Sequence, residues 1–125
     1  ALDYKYERSK KIILKSNARI KVNNDYKKIL KYVNNLDVGE ILINSIDKDG
    51  TGQGLDIKIL EKLPKLNKPL ILSGGAGNYK HFIDILKSKK VSAISTSNLL
   101  NFVGNGLKDL RHELQKNKID LPSWE

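Results

Sequence analysis

Apolar and polar positions alternate along the chain in blocks that predict strands followed by helices. The block Glu40–Ile46 is almost continuously apolar, which is typical of a strand buried on both faces of a parallel sheet. Three further apolar runs, Ala1–Lys5, Pro69–Ser73 and Val91–Ser95, predict three more strands. The pattern therefore predicts four strands, each followed by a loop and a helical segment.

Apolar residues recur at helical spacing after each of these strands. From Asp25 to Asn35 they repeat at i, i+3, i+4 and i+7, and Asn24 or Asp25 can cap this helix. A short helix that ends near Pro64 is predicted from Ile57, Leu60 and Leu63. A helix capped by Asn78 is predicted from Phe82, Ile83, Ile85 and Leu86. A short segment at Asn98–Phe102 precedes a last helix, which is predicted from Leu107, Leu110 and Leu114.

The first unit contains an additional feature between its strand and its helix. Two short β-prone runs, Lys11–Leu14 and Arg19–Val22, flank Lys15–Ala18 and predict a hairpin. Strands that alternate with helices imply parallel βαβ units, which right-handed crossovers wind into either an open sheet or a (β/α) barrel. In both folds the ligand site lies at the carboxyl ends of the strands.

Composition narrows the class of protein without assigning a function. A chain of 125 residues is long enough for one domain, and 39% hydrophobic residues are enough to build a core. There is no cysteine, which excludes disulfides, thiolate metal ligands and a cysteine nucleophile, and fits a cytoplasmic protein. Apolar runs are too short for a transmembrane helix, so no membrane partner is expected.

The charge of the chain is basic, with 23 Lys and Arg against 14 Asp and Glu. A net charge of +9 fits nucleic acid, an anionic membrane surface or a phosphorylated metabolite as partner. The cations are mostly Lys, accompanied by many Asn and Ile, which points to codon bias as much as to a binding face. Aromatic and basic residues do not interleave, so a nucleic-acid-binding module is the remote alternative.

Glycine-rich polar loops follow the predicted strands. Asp47–Gly54 can turn backbone N–H groups and carboxylates toward a ligand, although an ordinary polar turn has the same composition. Ser73–Gly77 and Ser95–Asn98 each precede a predicted helix, whose free N–H groups favour an anion. Because two such loops follow consecutive strands, they predict a phosphate site like the one at the last two strands of many TIM barrels.

Few other side chains suggest chemistry. Asp3 ends the first predicted strand, where a carboxylate can act as general acid or base, although a lone Asp near a terminus is usually just solvated. His81 and His112 lie on predicted helices away from the strand ends, so we expect surface positions for both. No spacing of side chains predicts a metal site, and no cofactor is expected.

The same loops carry a resemblance to a known family. Gly39–Gly54 is similar to the signature of the cyclase subunit of imidazole glycerol phosphate synthase, and Ser73–Gly77 with His81-Phe82 resembles that family's next motif. Ala1-Leu2-Asp3 resembles the end of its fifth strand. The resemblance implies an α/β fold in which residues 1–125 form one domain, the four βα units that make strands five to eight of a (β/α)₈ TIM barrel. The N-terminal half of this ribulose-phosphate-binding barrel is then expected to be absent.

The resemblance also implies a reaction and partners. Family members take ammonia from a glutaminase subunit to a doubly phosphorylated ribulosyl substrate, which is cleaved and cyclised to imidazole glycerol phosphate and aminoimidazole carboxamide ribotide. This lyase reaction belongs to histidine biosynthesis. The half-barrel alone is expected to be inactive, because one catalytic Asp and the second phosphate site lie in the other half. Its open sheet edges are expected to pair with an N-terminal half or with a second copy.

Carried over by position, the family's functional residues fall at both ends of the strands. Asp3 and Asp49 match catalytic carboxylates, and Glu40 matches a charged residue that gates ammonia entry at the barrel bottom. The expected substrate-binding and phosphate-binding residues are Asn44, Gly50, Thr51, Ser73, Gly74, Gly75, Ser97 and Asn98.

Two segments differ from the family pattern. Asn44 stands where the histidine enzyme usually has Thr, and residues 97–102 read Ser-Asn-Leu-Leu-Asn-Phe in place of the more usual Ala-Ser-Val-Phe-His-Phe. Both segments lie at the barrel mouth, where they bear on substrate identity. The second interpretation is therefore a paralogous branch, in which similar barrels feed ammonia into the amidation of a nucleotide-linked sugar for surface polysaccharides.

Overall fold

The computed structural model describes residues 1–16, 18–23, 25–97, 99 and 104–123. Strands and helices alternate in these residues, as the sequence predicts. The strands are β1 (Leu2–Glu7), β2 (Lys10–Lys15), β3 (Ile20–Val22), β4 (Ile41–Ser45), β5 (Leu70–Ser73) and β6 (Ala93–Ser95). The helices are α1 (Tyr26–Asn34), α2 (Lys58–Glu61), α3 (Tyr79–Leu86) and α4 (Gly106–Lys116).

These strands form one sheet in the order β3-β2-β1-β4-β5-β6. The strands β1, β4, β5 and β6 run parallel to one another, and β2 and β3 extend the sheet beyond β1 through antiparallel pairing. The repeating unit of a (β/α)₈ barrel is one strand followed by one helix, and four parallel strands correspond to half of such a barrel. The sheet is open at β3 and β6, so the chain is the α/β half-barrel that the sequence predicts.

The hairpin after the first strand is larger than predicted. The predicted antiparallel pairing of β2 with β3 is confirmed, but β1 also runs on to Glu7 and pairs antiparallel with β2. Its two-residue turn consists of Arg8 and Ser9, both with positive φ, as a type I′ turn requires. The sequence does not predict this turn, because neither residue is the Gly or Asn that usually occupies it.

The prediction that β4 is buried on both faces is wrong. Ile41, Ile43 and Ser45 are buried under the helices, whereas the alternating Leu42 and Asn44 are half-exposed. Helices cover one face of the sheet only. The other face corresponds to the barrel interior, which a half-barrel leaves open.

Helix boundaries follow the predictions with small differences. Asn78 caps α3 and accepts hydrogen bonds from the amides of Lys80 and His81. In α2 the buried residue is Ile59 rather than the predicted Ile57, which is 51% exposed because it precedes the single turn of this helix.

The remaining helix predictions concern capping and undescribed residues. Asp25 is at the N-cap of α1 but makes no capping hydrogen bond with its side chain. Asn24 and, apart from Leu99, the segment Asn98–Phe102 lie outside the described residues. In the part of the chain that is described, no helix is long and apolar enough to cross a membrane.

Candidate active site at the strand ends

Four polar residues form a row across the sheet at the carboxyl ends of its parallel strands. Asp3 of β1 is aligned with Asn44 of β4, Asn44 with Ser73 of β5, and Ser73 with Ser95 of β6. Because side chains alternate between the two faces of a strand, residues aligned in this way share one face. The row therefore lies on the open face, at the end where α/β folds bind ligands.

Asn44, Ser73 and Ser95 of this row border a small polar cavity of about 140 Å³, which we call the strand-end cavity, whereas Asp3 is not one of its wall residues. Its walls come from β4, β5, β6 and the loops that follow them. They consist of Asn44, Asp49, Ser73, Gly74, Gly75, Ala76, Ser95, Thr96 and Ser97. Pockets for whole metabolites usually measure roughly 300–1,000 Å³. The strand-end cavity therefore suits one polar group of a substrate, such as a phosphate.

Asn44 connects the strand-end cavity to the predicted catalytic carboxylate. Its Nδ2 donates a hydrogen bond to Asp3 Oδ1 at 3.2 Å. Its Oδ1 is buried and has no hydrogen-bond partner among the described residues. A buried carbonyl oxygen without a donor is costly, so this atom offers an acceptor to a donor group bound in the cavity.

Two glycines allow the loop after β5 to approach its neighbours closely. Gly74 and Gly75 have φ of 94° and 102°, which L side chains rarely adopt. A Cβ at Gly74 would collide with the carbonyl oxygen of Ser45, and one at Gly75 with that of Gly54. Gly54 N–H also donates to Gly75 O at 2.8 Å. The two loops are thus held together by their backbones.

The anion donors at this loop differ from the prediction. Two of the first amides of α3 are already used, because Lys80 and His81 donate to Asn78 Oδ1, and ahead of the helix Gly77 N–H donates to His81 Nδ1. The expectation of free N–H groups at this helix terminus therefore does not hold for Lys80 and His81. In contrast, no described residue accepts a hydrogen bond from the amides of Gly75 or Ala76, which line the cavity. Those amides can donate hydrogen bonds to an anion.

Side chains of β1 hold the loop after β4 in place. Asp56 Oδ2 accepts hydrogen bonds from the hydroxyls of Tyr4 at 2.7 Å and Tyr6 at 3.0 Å, and Asp47 Oδ2 accepts one from Tyr6 N–H at 2.7 Å. Burial, followed by the contact with Asp56, raises the pKa of Tyr4 well above its usual value. The same causes raise the pKa of Tyr6 to about 12. Both hydroxyls therefore stay protonated as donors at neutral pH.

The structure does not bring all predicted residues to the strand-end cavity. Gly50 and Thr51 are outside its walls, and the Thr51 hydroxyl donates to Lys48 O within the same turn at 2.7 Å. Glu40 is exposed and directly precedes β4. At the usual rise per residue of a strand, it lies about 13 Å along the chain from Asn44. It lies at the opposite end of the strand, as a residue at the barrel bottom must. Asn98 lies outside the described residues.

His81 was missed by sequence analysis. It is half-buried rather than on the surface, its Nδ1 accepts from Gly77 N–H at 3.1 Å, and its ring lies close to Gly54. The helix position alone concealed this role, although the Asn78-x-x-His81 spacing around a cap was a usable signal. His112 is exposed, as predicted.

Comparison with known proteins agrees with this architecture. The family profile described as histidine biosynthesis protein matches residues 1–103. The chain belongs to that family. Its relatives carry matching names. The chain is 34% identical over 126 residues to a protein of Parasynechococcus marenigrum provisionally named imidazole glycerol phosphate synthase subunit hisF2, covering 99% of this chain and 47% of that protein.

Relatives from other lineages have the same name. Imidazole glycerol phosphate synthase subunit HisF of Methanococcus maripaludis is 40% identical over 92 residues, covering 73% of this chain and 34% of that protein. HisF of Flavobacterium johnsoniae is 43% identical over 84 residues, covering 66% of this chain and 34% of that protein. The chain thus spans between a third and a half of the length of these relatives. None of these names points to the nucleotide-sugar alternative.

Proposed function

We propose that the chain is the C-terminal half of the cyclase subunit of imidazole glycerol phosphate synthase, a lyase of histidine biosynthesis. The observation that carries the proposal is the row of Asp3, Asn44, Ser73 and Ser95 beside a polar cavity with free loop amides. The family membership and the relatives' names support the same reaction. The substrate would be a doubly phosphorylated ribulosyl aminoimidazole carboxamide.

Six residues at the strand ends have a role in this proposal. One substrate phosphate would enter the strand-end cavity and accept hydrogen bonds from the amides of Gly75 and Ala76, with Ser97 beside it. Asp3 would then face the ribulosyl carbons as general acid or base. Asn44 would orient Asp3 through its Nδ2 and accept a substrate donor at Oδ1. Asp49, at the rim, would be the second carboxylate.

The remaining partners belong to the same proposal. Ammonia would come from a glutaminase subunit docked at the amino ends of the strands, where Glu40 is exposed. An N-terminal half-barrel would supply the second phosphate site and the other catalytic Asp. The complex is expected in the cytoplasm, and the half-barrel alone is expected to be inactive.

The test is turnover by a reconstituted barrel. The chain is combined with the N-terminal half of its own or a related barrel, and ammonia-dependent release of aminoimidazole carboxamide ribotide is measured. We expect turnover, and we expect Asp3→Asn to lower kcat by about 10²–10⁴-fold, the usual contribution of a general acid or base. Asp84→Asn is the matched control, since Asp84 is an exposed carboxylate on α3.

Two results would contradict the proposal. Equal rates for Asp3→Asn and Asp84→Asn would remove the catalytic role of Asp3. A reconstituted barrel that binds phosphate at Gly75 yet does not convert the histidine-pathway substrate would favour amidation of a nucleotide-linked sugar instead.

A further inference from the structure

A second cavity lies on the helix-covered side of the sheet, away from the strand-end cavity. It is an open cleft of about 500 Å³ bordered by the β2–β3 hairpin, the start of α1 and Lys62, which directly follows α2. We call it the hairpin cavity. It is lined by Tyr6, Ser9, Lys10, Lys11, Ile12, Lys21, Val22, Asn23, Asp25, Tyr26, Lys27 and Lys62. The two cavities share no wall residue.

Lysines dominate the charge of the hairpin cavity. Five of its wall residues are Lys and one, Asp25, is acidic. Within the described residues, Lys21 forms an ion pair with Glu7, whereas Lys10, Lys11, Lys27 and Lys62 form none. A concave surface with several unpaired cations attracts anions, because its low-dielectric walls concentrate the field.

Lys11 shows that this charge is only partly compensated inside the protein, because Asp56 attracts it while Lys62 and Lys27 repel it. Its Nζ is buried and has no hydrogen-bond partner among the described residues. It lies 4.9 Å from the ring centre of Tyr26 and 5.8 Å from that of Tyr6, so aromatic faces are its neighbours. Burial, and next the charge of Lys62, lower the pKa of Lys11. An anion in the cavity would relieve both the repulsion and the missing hydrogen bonds.

Tyr26 provides a second buried polar group at the same wall. Its side chain is only 5% exposed, and its hydroxyl has no partner among the described residues. Burial raises the pKa of this hydroxyl, so it stays a hydrogen-bond donor. A buried donor without an acceptor costs free energy, which a bound acceptor would restore.

These observations identify the chemistry of the ligand. The two buried wall groups that lack a partner among the described residues, Lys11 Nζ and the Tyr26 hydroxyl, are both hydrogen-bond donors, and the five wall lysines outnumber the one acidic wall residue, Asp25. The volume is within the range of small-molecule pockets, roughly 300–1,000 Å³, and exceeds what one phosphate needs. We propose that the hairpin cavity binds a small polyanion, either a di- or polyphosphate or a polycarboxylate, between Lys11, Lys27 and Lys62. The site is separate from the proposed catalytic site and does not depend on it.

The test uses inorganic pyrophosphate as the probe and the chain at physiological salt. Binding is followed through backbone amide NMR shifts, which report where the probe lies. We expect saturable shifts at the walls of the hairpin cavity. We expect Lys11→Gln and Lys62→Gln each to weaken binding by about tenfold or more, as loss of a charge-assisted hydrogen bond does. Citrate and inorganic phosphate, titrated in parallel, distinguish a polycarboxylate ligand from a polyphosphate and both from a single phosphate.

Matched variants separate a site from general attraction. Lys28→Gln removes one charge from α1, the helix that also carries Lys27, but Lys28 is exposed and is not a wall residue. It should change affinity by less than about twofold, since exposed charges interact weakly through salt. Tyr26→Phe removes the hydroxyl and keeps the ring, so it should weaken binding while the fold persists. If Lys11→Gln fails to fold, the exposed Lys62→Gln still decides the question.

Three outcomes would overturn the proposal. The first is an absence of saturable binding for all three anions. The second is an equal loss of affinity in Lys28→Gln and Lys62→Gln, which would indicate nonspecific attraction. The third is a set of shifts confined to Gly75 and Ala76, which would place pyrophosphate in the strand-end cavity and support the proposed catalytic site instead.

Discussion

Single residues on the two faces of β1 carry different tasks. Asp3 belongs to the row of polar residues at the strand ends, where it accepts a hydrogen bond from Asn44 Nδ2. Tyr4 and Tyr6, on the other side, donate to Asp56 and so anchor the loop that carries Asp49. The alternation of side chains along one strand thus couples a candidate catalytic group to the support of its neighbouring loop.

The buried tyrosines predict how stability depends on pH. An unfolded Tyr ionises near pH 10, whereas burial raises the pKa of Tyr26, and burial with the Asp56 contact raises that of Tyr6 to about 12. Their stabilising contribution is therefore complete below about pH 10 and is lost as the pH rises above it. We expect the free energy of unfolding to fall by about 1.4 kcal/mol per pH unit for Tyr26 in that range, and by less for Tyr6, because solvent screens its half-buried hydroxyl.

Urea unfolding at a series of pH values measures this dependence. Tyr26→Phe should make the decline less steep, because it removes one group that must lose its proton on unfolding. Tyr32→Phe is the control, since Tyr32 is 66% exposed, and its decline should match that of the parent chain. Identical slopes for Tyr26→Phe and the parent would show that Tyr26 does not contribute.

At the level of elements, loop contacts rather than helix termini shape the strand-end cavity. Gly77 shows this most directly, because a Cβ there would collide with the backbone of Gly52. Gly77→Ala should destabilise the fold by about 1–3 kcal/mol, the usual cost of forcing atoms into filled space. The midpoint of thermal or urea unfolding measures the effect.

Gly39 offers a matched control for that substitution. A Cβ at Gly39 meets nothing within 4 Å, and neither glycine has a positive φ, so the two Ala variants differ in steric contact rather than in backbone preference. Gly39→Ala should change stability by less than about 0.5 kcal/mol. Equal effects at the two positions would contradict the loop contact.

Most elements could be predicted from the sequence, because periodicity and buried apolar runs reflect forces that act locally. Because strands alternate with helices, and because crossovers between strands are right-handed, the sequence predicts that the strands run parallel. The turn at Arg8 and Ser9 could not be predicted, since its residues are ordinary and pairing with β2 stabilises it. The site was predictable as a set of loops, but the hydrogen bonds that Asn78 and His81 accept from the amides of His81 and Gly77 depend on side-chain geometry.

At the scale of the whole molecule, the open face of the sheet predicts association. Leu42 of β4, Ile71 of β5 and Ala93 of β6 are aligned on the face that carries the strand-end row, and all three are half-exposed. The short edge strands β3 and β6 offer further unpaired backbone groups. We expect the chain to pair through this face with an N-terminal half-barrel or, without one, with a second copy.

Light scattering coupled to size-exclusion chromatography tests this expectation. Ile71→Lys places a charge on the open face and should shift the chain toward monomer, because a charge buried without a partner opposes association. Ile57→Lys introduces the same charge at a residue that is already 51% exposed ahead of α2, and it should leave the association unchanged. A parent chain that is monomeric at every concentration would contradict the prediction. An equal shift in both variants would show that net charge, not the open face, controls assembly.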